Sequence, residues 1–155
     1  MPLDIREDDL KGPEIRALLE THLTTMAEHS PPESVHALDL DALRAPDITF
    51  WSVYDGETLA GCGALRRLTA THGEIKSMHT KEDLRGKGVA GSLVEYILAV
   101  ARSEGLERLS LETGRLAPFA SAQLLYRKFD FKECPPFGDY QPDPFSMCMT
   151  LDLTR

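Results

Sequence analysis

Two glycines and two cations stand together where a predicted strand is followed by a predicted helix. The segment Arg85-Gly86-Lys87-Gly88-Val89-Ala90 comes shortly after a strand that ends at Thr80. The first N–H groups of a helix have no acceptor inside the helix, and the helix dipole is positive at that end. Glycine lets a ligand approach the backbone because it has no Cβ. The segment therefore predicts an anion site suited to phosphates.

Two common phosphate-binding motifs are absent from the sequence. There is no G-x-x-x-x-G-K-[ST] segment, and no G-x-G-x-x-G segment is followed by an acidic residue at the distance of a ribose. These absences argue against an NTPase and against a dehydrogenase. The spacing of residues 85–90 alone is also compatible with an ordinary glycine-rich helix start whose cations are solvated and bind no phosphate.

Composition limits the partners of such a site. The chain has 17 Lys and Arg against 25 Asp and Glu, a net charge of −8, so we expect no nucleic acid and no membrane surface as partner. Its three widely spaced cysteines favour neither a disulfide framework nor a zinc site, and the histidines are scattered, so we expect no metal. Without a secretory signal or a long apolar run, the prediction is a cytoplasmic protein.

The elements that position this segment form one domain of 155 residues. Hydrophobic periodicity and turn residues predict the order β-α-α-β-β-β-α-β-α-β-β. A helix between the third meander strand and the next strand indicates a mixed α/β (α+β) sheet with at least one parallel pair. Bounds are predicted for six of the seven strands, residues 3–6, 48–54, 58–68, 74–80, 109–112 and 146–153. The first predicted helix begins at Pro13, and the others cover 33–44, 88–103 and 118–129.

Two segments together resemble the GNAT superfamily of acyl-CoA-dependent N-acetyltransferases. Residues 85–90 resemble its [QR]-x-x-G-x-[GA] signature, and Leu125-Tyr126-Arg127-Lys128-Phe129-Asp130-Phe131 resembles its L-Y-x-x-x-G-F segment. The resemblance covers about residues 48–153, and further segments such as Gly73-Glu74-Ile75-Lys76-Ser77-Met78 are similar to YsnE-type bacterial N-acetyltransferases. It implies a mostly antiparallel GNAT-like sheet in a single domain 1–155, with acceptor-side helices in 1–46 and an acetyl-CoA-binding core in 47–155.

The resemblance implies acetyl-CoA as the acyl donor and assigns residues to it. Backbone groups of a strand that splays from its neighbour would pair with the pantetheine arm, and the glycine-rich segment would hold the phosphates. In two places the sequence departs from the family pattern, since Asp130 replaces a glycine and Phe119 replaces an asparagine that contacts the cofactor, a contact that Ser121 would then supply. The implied cofactor-binding residues are Met78, His79, Thr80, Arg85, Gly86, Lys87, Gly88, Val89, Ala90 and Ser121.

Direct transfer from a thioester to an amine needs a base for the ammonium, a donor for the oxyanion and an acid for the thiolate. The resemblance places Tyr126 near the sulfur as the acid, and a phenol has a suitable pKa. Glu74 and Glu112 are both candidates for the base, and the sequence leaves the choice open. His72 and His79 are weaker candidates. Cys62 has no evident base beside it, which argues against a covalent route.

The acceptor is expected to be a primary amine of a small molecule. An amino-acid-like amine is one possibility within this hypothesis. The N-terminal helices and residues 135–143 would line its site. A protein acetyltransferase and a non-catalytic acyl-CoA-binding module stay open as alternatives, and so does a homodimer. Candidate lining residues are His36, Arg44, Trp51, Phe137 and Tyr140.

Overall fold

The computed structural model describes residues 3–35 and 38–154. Within these ranges, seven strands form one sheet in the order β1-β2-β3-β4-β5-β7-β6, and three α-helices pack on it. The strands are β1 (Leu3–Glu7), β2 (Ile48–Asp55), β3 (Thr58–Arg67), β4 (His72–Thr80), β5 (Arg108–Gly114), β6 (Lys132–Cys134) and β7 (Ser146–Asp152). The helices are α1 (Pro13–His29), α2 (Val89–Ser103) and α3 (Ala120–Lys128).

The sheet is mostly antiparallel, with β4 and β5 as a parallel pair. A parallel pair needs a crossover, and α2 supplies it between the two strands. The mixed α/β sheet predicted from the sequence is therefore confirmed.

Two apolar clusters lie on opposite faces of the sheet. Neighbouring residues of β3 show this, since Ala64 packs with the cluster around α1 and Leu65 with the cluster around α2. Side chains alternate between faces along a strand, so adjacent buried residues serve different layers. The α2 periodicity fits this placement, because Val89, Leu93 and Ile97 are all buried.

The helix predicted over residues 33–44 is wrong in the described part of that range. Two short 3-10 helices stand there instead, Pro32–Ser34 and Ala42–Arg44. The Asp39 carboxylate accepts a hydrogen bond from the Ala42 backbone N–H at 2.9 Å. Such side-chain to backbone bonds compete with helical pairing, so the segment turns instead of continuing as a helix. Leu43 still faces inward, with 2% of its surface exposed.

β4 separates from β5 after four residue pairs. The parallel ladder runs from His72↔Arg108 to Ile75↔Leu111, whereas β4 continues to Thr80 and β5 continues to Gly114. On the other side of β4, the register with β3 shifts between Cys62 and Ala64, and Ser77 adopts a positive φ of 57°. A β-bulge and a splayed strand pair therefore occur together at the middle of the sheet.

A substitution at Gly61 in β3 would test how tightly the region around the bulge is packed. A Cβ added at Gly61 would lie 2.8 Å from the His79 carbonyl oxygen and 2.9 Å from Val89 Cγ1. We expect Gly61→Ala to lower the free energy of unfolding by about 1–3 kcal/mol, because backbone of β4 would have to move. Urea denaturation measures the change.

Gly91 provides the matched control. A Cβ there would meet Leu125 Cδ1 at 3.8 Å, an ordinary contact, and the residue lies inside α2. Gly91→Ala should leave stability unchanged or raise it by up to about 1 kcal/mol, because alanine favours a helix over glycine. Equal losses in the two variants would contradict the close packing at Gly61.

Candidate active site

The N-terminus of α2 opens onto a cavity of about 390 Å³, named here the α2 cavity. Gly88 precedes the helix with a φ of 81°, and Gly86 has a φ of 80°. The Ser92 N–H donates to the Gly88 carbonyl at 2.9 Å, so the three N–H groups of residues 89–91 precede the first intrahelical bond. These donors and the helix dipole make the end of α2 favourable for an anion.

The residues predicted to bind the donor surround the α2 cavity, except one. Lys87 is exposed and lies outside the cavity wall, where its charge acts only through solvent. Phe119 also lines this cavity, in the place where the asparagine was expected. The predicted residues in the wall are Met78, His79, Thr80, Arg85, Gly86, Gly88, Val89, Ala90 and Ser121.

A second cavity of about 130 Å³ lies where β4 and β5 diverge, and it is named here the β4–β5 cavity. Helix α1 and the 3-10 helix after it cover it through His22, Met26 and Ser34. It shares five lining residues with the α2 cavity, so the two cavities adjoin. The shared residues are Met26, Met78, Phe119, Ala122 and Tyr126.

Tyr126 stands where the two cavities meet. Only 5% of its surface is exposed, and its ring packs edge-on against Phe131 at 5.8 Å. Burial raises the pKa of its phenol well above 10, so the hydroxyl stays protonated at neutral pH. The turn that follows α3 holds its shape because Asp130 adopts a φ of 73°, the left-handed conformation expected where the family has glycine.

The two candidate glutamates lie in different environments. Glu112 lines the β4–β5 cavity, and the Ser146 hydroxyl donates to its Oε2 at 2.7 Å. Glu74 is 2% exposed and belongs to the wall of neither cavity. The carboxylate that reaches the cavity surface is therefore that of Glu112.

Glu74 belongs to a buried polar cluster beneath the proline-rich loop, residues 135–145. The Tyr140 hydroxyl donates to Glu74 Oε2 at 2.5 Å, and Lys76 Nζ donates to the Tyr140 oxygen at 2.8 Å. Lys76 Nζ also lies 3.4 Å from Glu74 Oε2. The burial of Tyr140, followed by the charge of Glu74, raises the pKa of the phenol. Lys76, unlike Glu74, lines the β4–β5 cavity.

Two histidines connect α1 with β4. His22 Nδ1 and His79 Nδ1 are 3.1 Å apart, and His22 lines the β4–β5 cavity while His79 lines the α2 cavity. Burial, followed by repulsion from His79, lowers the pKa of His22 to about 4. Burial and then the charge of Arg85 lower the pKa of His79. At neutral pH the pair is therefore held as two uncharged rings that share one Nδ1 proton.

Several candidates from the sequence lie elsewhere. Trp51 is 3% exposed and stacks edge-on with Tyr96 in the core, so it does not line the acceptor side. Arg44 donates to the Leu10 carbonyl at 3.1 Å, outside both cavities. His36 lies outside the described residues. Burial raises the pKa of the Cys62 thiol to about 12, which disfavours the thiolate that a nucleophile requires.

His72 and Phe137 lie near the site without entering either cavity wall. His72 Nε2 is 2.7 Å from the Ser110 hydroxyl, and its ring packs against Phe137 at 5.7 Å. Phe137 in turn packs against Tyr140 at 5.0 Å. Both residues hold the proline-rich loop on the sheet, which is a positioning role.

Sequence reasoning missed Lys76, Ser77 and His22 as cavity residues. The spacing of Glu74 and Lys76 places two opposite charges on one face of a strand, which was a signal for Lys76. No local sequence pattern predicts that Ser77 lines the β4–β5 cavity, because the strand is irregular at this residue.

Membrane spans and metal sites are two further features that bear on function. Of the helices in residues 3–35 and 38–154, none combines the length and apolarity of a membrane span. The same described ranges contain no group of three or more His, Cys, Asp or Glu arranged to hold a metal ion.

Comparison with known proteins gives consistent matches. The sequence model described as the Acetyltransferase (GNAT) family matches residues 15–131. The chain is 50% identical over 151 residues to the Bacillus subtilis protein named "Uncharacterized N-acetyltransferase YsnE", covering 97% of this chain and 100% of that protein. It is 49% identical over 149 residues to "Uncharacterized N-acetyltransferase YedL" of Escherichia coli, covering 96% and 94%.

A solved structure matches the fold. The Bacillus subtilis acetyltransferase solved in complex with CoA superposes with a TM-score of 0.71 at 19% identity, covering 97% of this chain and 99% of that chain. At this identity the likeness extends to the fold alone.

The buried histidine of α1 predicts a pH dependence of stability. His22 is uncharged in the folded protein down to pH about 4, whereas an unfolded chain protonates it near pH 6.5. The unfolded state thus binds more protons between these values, and stability falls as the pH falls. From pH 7 to pH 5, we expect the wild type to lose about 2 kcal/mol more than His22→Asn, as measured by urea denaturation.

His29 lies on the same helix and is exposed, so it serves as the control. His29→Asn should keep the pH dependence of the wild type. A wild-type curve parallel to that of His22→Asn would contradict a neutral, buried His22.

Proposed function

Because the chain belongs to the GNAT family of acetyltransferases, we propose that it moves an acetyl group from acetyl-CoA directly to a primary amine of a small molecule. The observation that carries this proposal is the meeting of the α2 cavity and the β4–β5 cavity at Tyr126. One cavity has the groups that a phosphorylated thioester needs, and the other has a carboxylate for an amine.

The α2 cavity suits acetyl-CoA as the donor. Its phosphates would contact the N–H groups that begin α2 and the nearby Arg85, since a helix N-terminus attracts anions. The edge of β4 beyond Ile75 is not paired with β5, so its backbone groups can bind the amides of the pantetheine arm. A solved structure of the same fold contains CoA, which supports a CoA thioester as the donor. Residues 47–155 would then form the donor-binding core.

The β4–β5 cavity suits the acceptor. Glu112 would take a proton from the ammonium, either directly or through a water, because only the neutral amine attacks. The amine nitrogen would bond to the thioester carbon as the carbon–sulfur bond breaks. Tyr126 would donate a hydrogen bond or its proton to the leaving thiolate, which its protonated state permits. The base is thus assigned to Glu112 and not to Glu74.

The size of the cavity favours a small acceptor over a protein. The β4–β5 cavity measures about 130 Å³ and lies beneath α1 and the 3-10 helix Pro32–Ser34. A folded protein's lysine would need an open groove in this place. The residues 1–46 would therefore serve as the acceptor-side cover.

The donor assignment predicts a loss of affinity when a side chain fills the mouth of α2. Gly88→Glu adds a negative side chain where the phosphates would lie, and we expect acetyl-CoA affinity to fall by at least about 100-fold. Isothermal titration calorimetry measures it.

Gly105 offers a control with the same backbone conformation. It has the same φ of 81°, lies beyond the other end of α2, and a Cβ there meets nothing within 4 Å. Gly105→Glu should share the conformational strain and keep the affinity for acetyl-CoA. Equal affinities in Gly88→Glu and the wild type would contradict the donor site.

The catalytic assignment predicts a fall in turnover without a loss of donor binding. Tyr126→Phe and Glu112→Gln should each lower kcat by about 100-fold, a typical contribution of one acid or base. Thiol release from acetyl-CoA with a panel of primary amines measures turnover, and calorimetry measures binding.

Glu133→Gln is the matched control for Glu112→Gln, since Glu133 is exposed on β6 and pairs with Arg115. It should retain the wild-type kcat. Tight acetyl-CoA binding with no thiol release for any amine would instead favour a non-catalytic acyl-CoA-binding module.

A further inference from the structure

Two consecutive residues of β4, Lys76 and Ser77, both line the β4–β5 cavity. Neighbours on a regular strand point to opposite faces of a sheet. Here Ser77 adopts a φ of 57° and the register with β3 shifts beside it, so the strand is irregular at this point, and residues 75–78 all contribute to the cavity wall. β-Bulges are common next to active sites.

Lys76 is a cationic residue of this cavity wall. Its side chain is 7% exposed, and its ion-pair partner Glu74 does not belong to the wall. The Tyr140 hydroxyl holds both groups, because it accepts from Lys76 and donates to Glu74. The buried pair therefore contributes its cationic member, and not its carboxylate, to the cavity wall.

The Ser77 hydroxyl is a polar group that the described residues leave without a hydrogen-bond partner. The residue is 7% exposed, so little solvent reaches it. A buried hydroxyl without a partner is destabilising, and native proteins retain few of them. Because Ser77 belongs to the cavity wall beside Lys76, rotation about its χ1 bond would bring the enclosed hydroxyl to a polar group of a ligand.

Glu112 on β5 supplies the opposite charge in the same cavity. The ladder stops one pair short of Lys76 and Glu112, at Ile75↔Leu111, so these two residues follow the last pair on neighbouring strands. A cation and a carboxylate in one small cavity match a ligand that carries both an anionic group and an ammonium group.

We propose that Lys76 and Ser77 bind the carboxylate of the acceptor, so that the acceptors are amino acids and similar compounds with an amine and a carboxylate. One carboxylate oxygen accepts from Lys76 Nζ and the other accepts from the Ser77 hydroxyl. The amine then lies toward Glu112 and Tyr126, where the thioester reacts. This inference rests on the proposed N-acetyltransferase function and specifies its acceptor.

The test compares each amino acid with the amine that lacks its carboxylate. L-Serine is paired with ethanolamine and L-alanine with ethylamine, and thiol release from acetyl-CoA gives kcat/KM. We expect the wild type to prefer the amino acid by at least about tenfold, the lower range for a charge-assisted hydrogen bond. Lys76→Met should lower kcat/KM about 100-fold for the amino acids and less than about threefold for the amines. Ser77→Ala should give a smaller loss of the same selectivity.

Two further variants keep the result interpretable. Lys76→Met leaves the buried Glu74 without its cation, so the double variant Glu74→Gln/Lys76→Met removes both charges together. Lys132→Met, on the exposed face of β6, is the matched control and should retain the wild-type preference. Thermal unfolding and acetyl-CoA binding show whether each variant is folded.

The outcomes separate the two proposals. Turnover of amines with no preference for amino acids, or an unchanged preference in folded Lys76 variants, would overturn the carboxylate subsite and leave the N-acetyltransferase proposal standing. Absence of thiol release with every acceptor would overturn both.

Discussion

The separation of β4 from β5 is the constraint on which the rest of the site depends. The two strands pair over only four residues before they diverge, although both continue well beyond that point. A sheet that splits at its centre leaves backbone groups unpaired, and a ligand or solvent has to satisfy them. The split also lets Tyr126, which packs with the cluster around α2, reach a cavity that α1 covers from the opposite face. Without this gap, the two faces of the sheet would have no common point at which a donor and an acceptor could react.

The buried ion pair on β4 depends on a partner from a distant part of the chain. Burying Lys76 and Glu74 costs desolvation energy, which their attraction offsets only with good geometry and additional hydrogen bonds. Tyr140 supplies those bonds to both residues, and Phe137 packs against its ring. The proline-rich loop is thus fixed to the sheet by the same contacts that hold Lys76 in the cavity wall. Loop position and cavity charge are two consequences of one cluster.

Sequence patterns predicted the mixed sheet and the helix α2, because both depend on local rules. The buried faces of α2 follow from residues a few positions apart. The cluster of Tyr140 with Lys76 and Glu74 depends on contacts between distant segments, and no local pattern predicted it. From the sequence, Glu74 is expected to be a glutamate at the end of a strand, because the loop that buries it is distant in the chain. Trp51 was a candidate for the acceptor side, but it lies in the core. An aromatic residue on a strand is compatible with a core position as well as with a pocket.

A hydrogen bond joins the 3-10 helix after α1 to the proline-rich loop. The Ser34 hydroxyl, in the 3-10 helix after α1, donates to Asp143 of the proline-rich loop at 2.6 Å. Ser34 is itself 5% exposed and forms part of the β4–β5 cavity wall. Because these segments are 109 residues apart in the chain, the bond joins the N-terminal and C-terminal parts of the domain at the cavity wall. If the proposed acceptor entered from this side, this bond would have to break, and acceptor exchange would require the two segments to move apart.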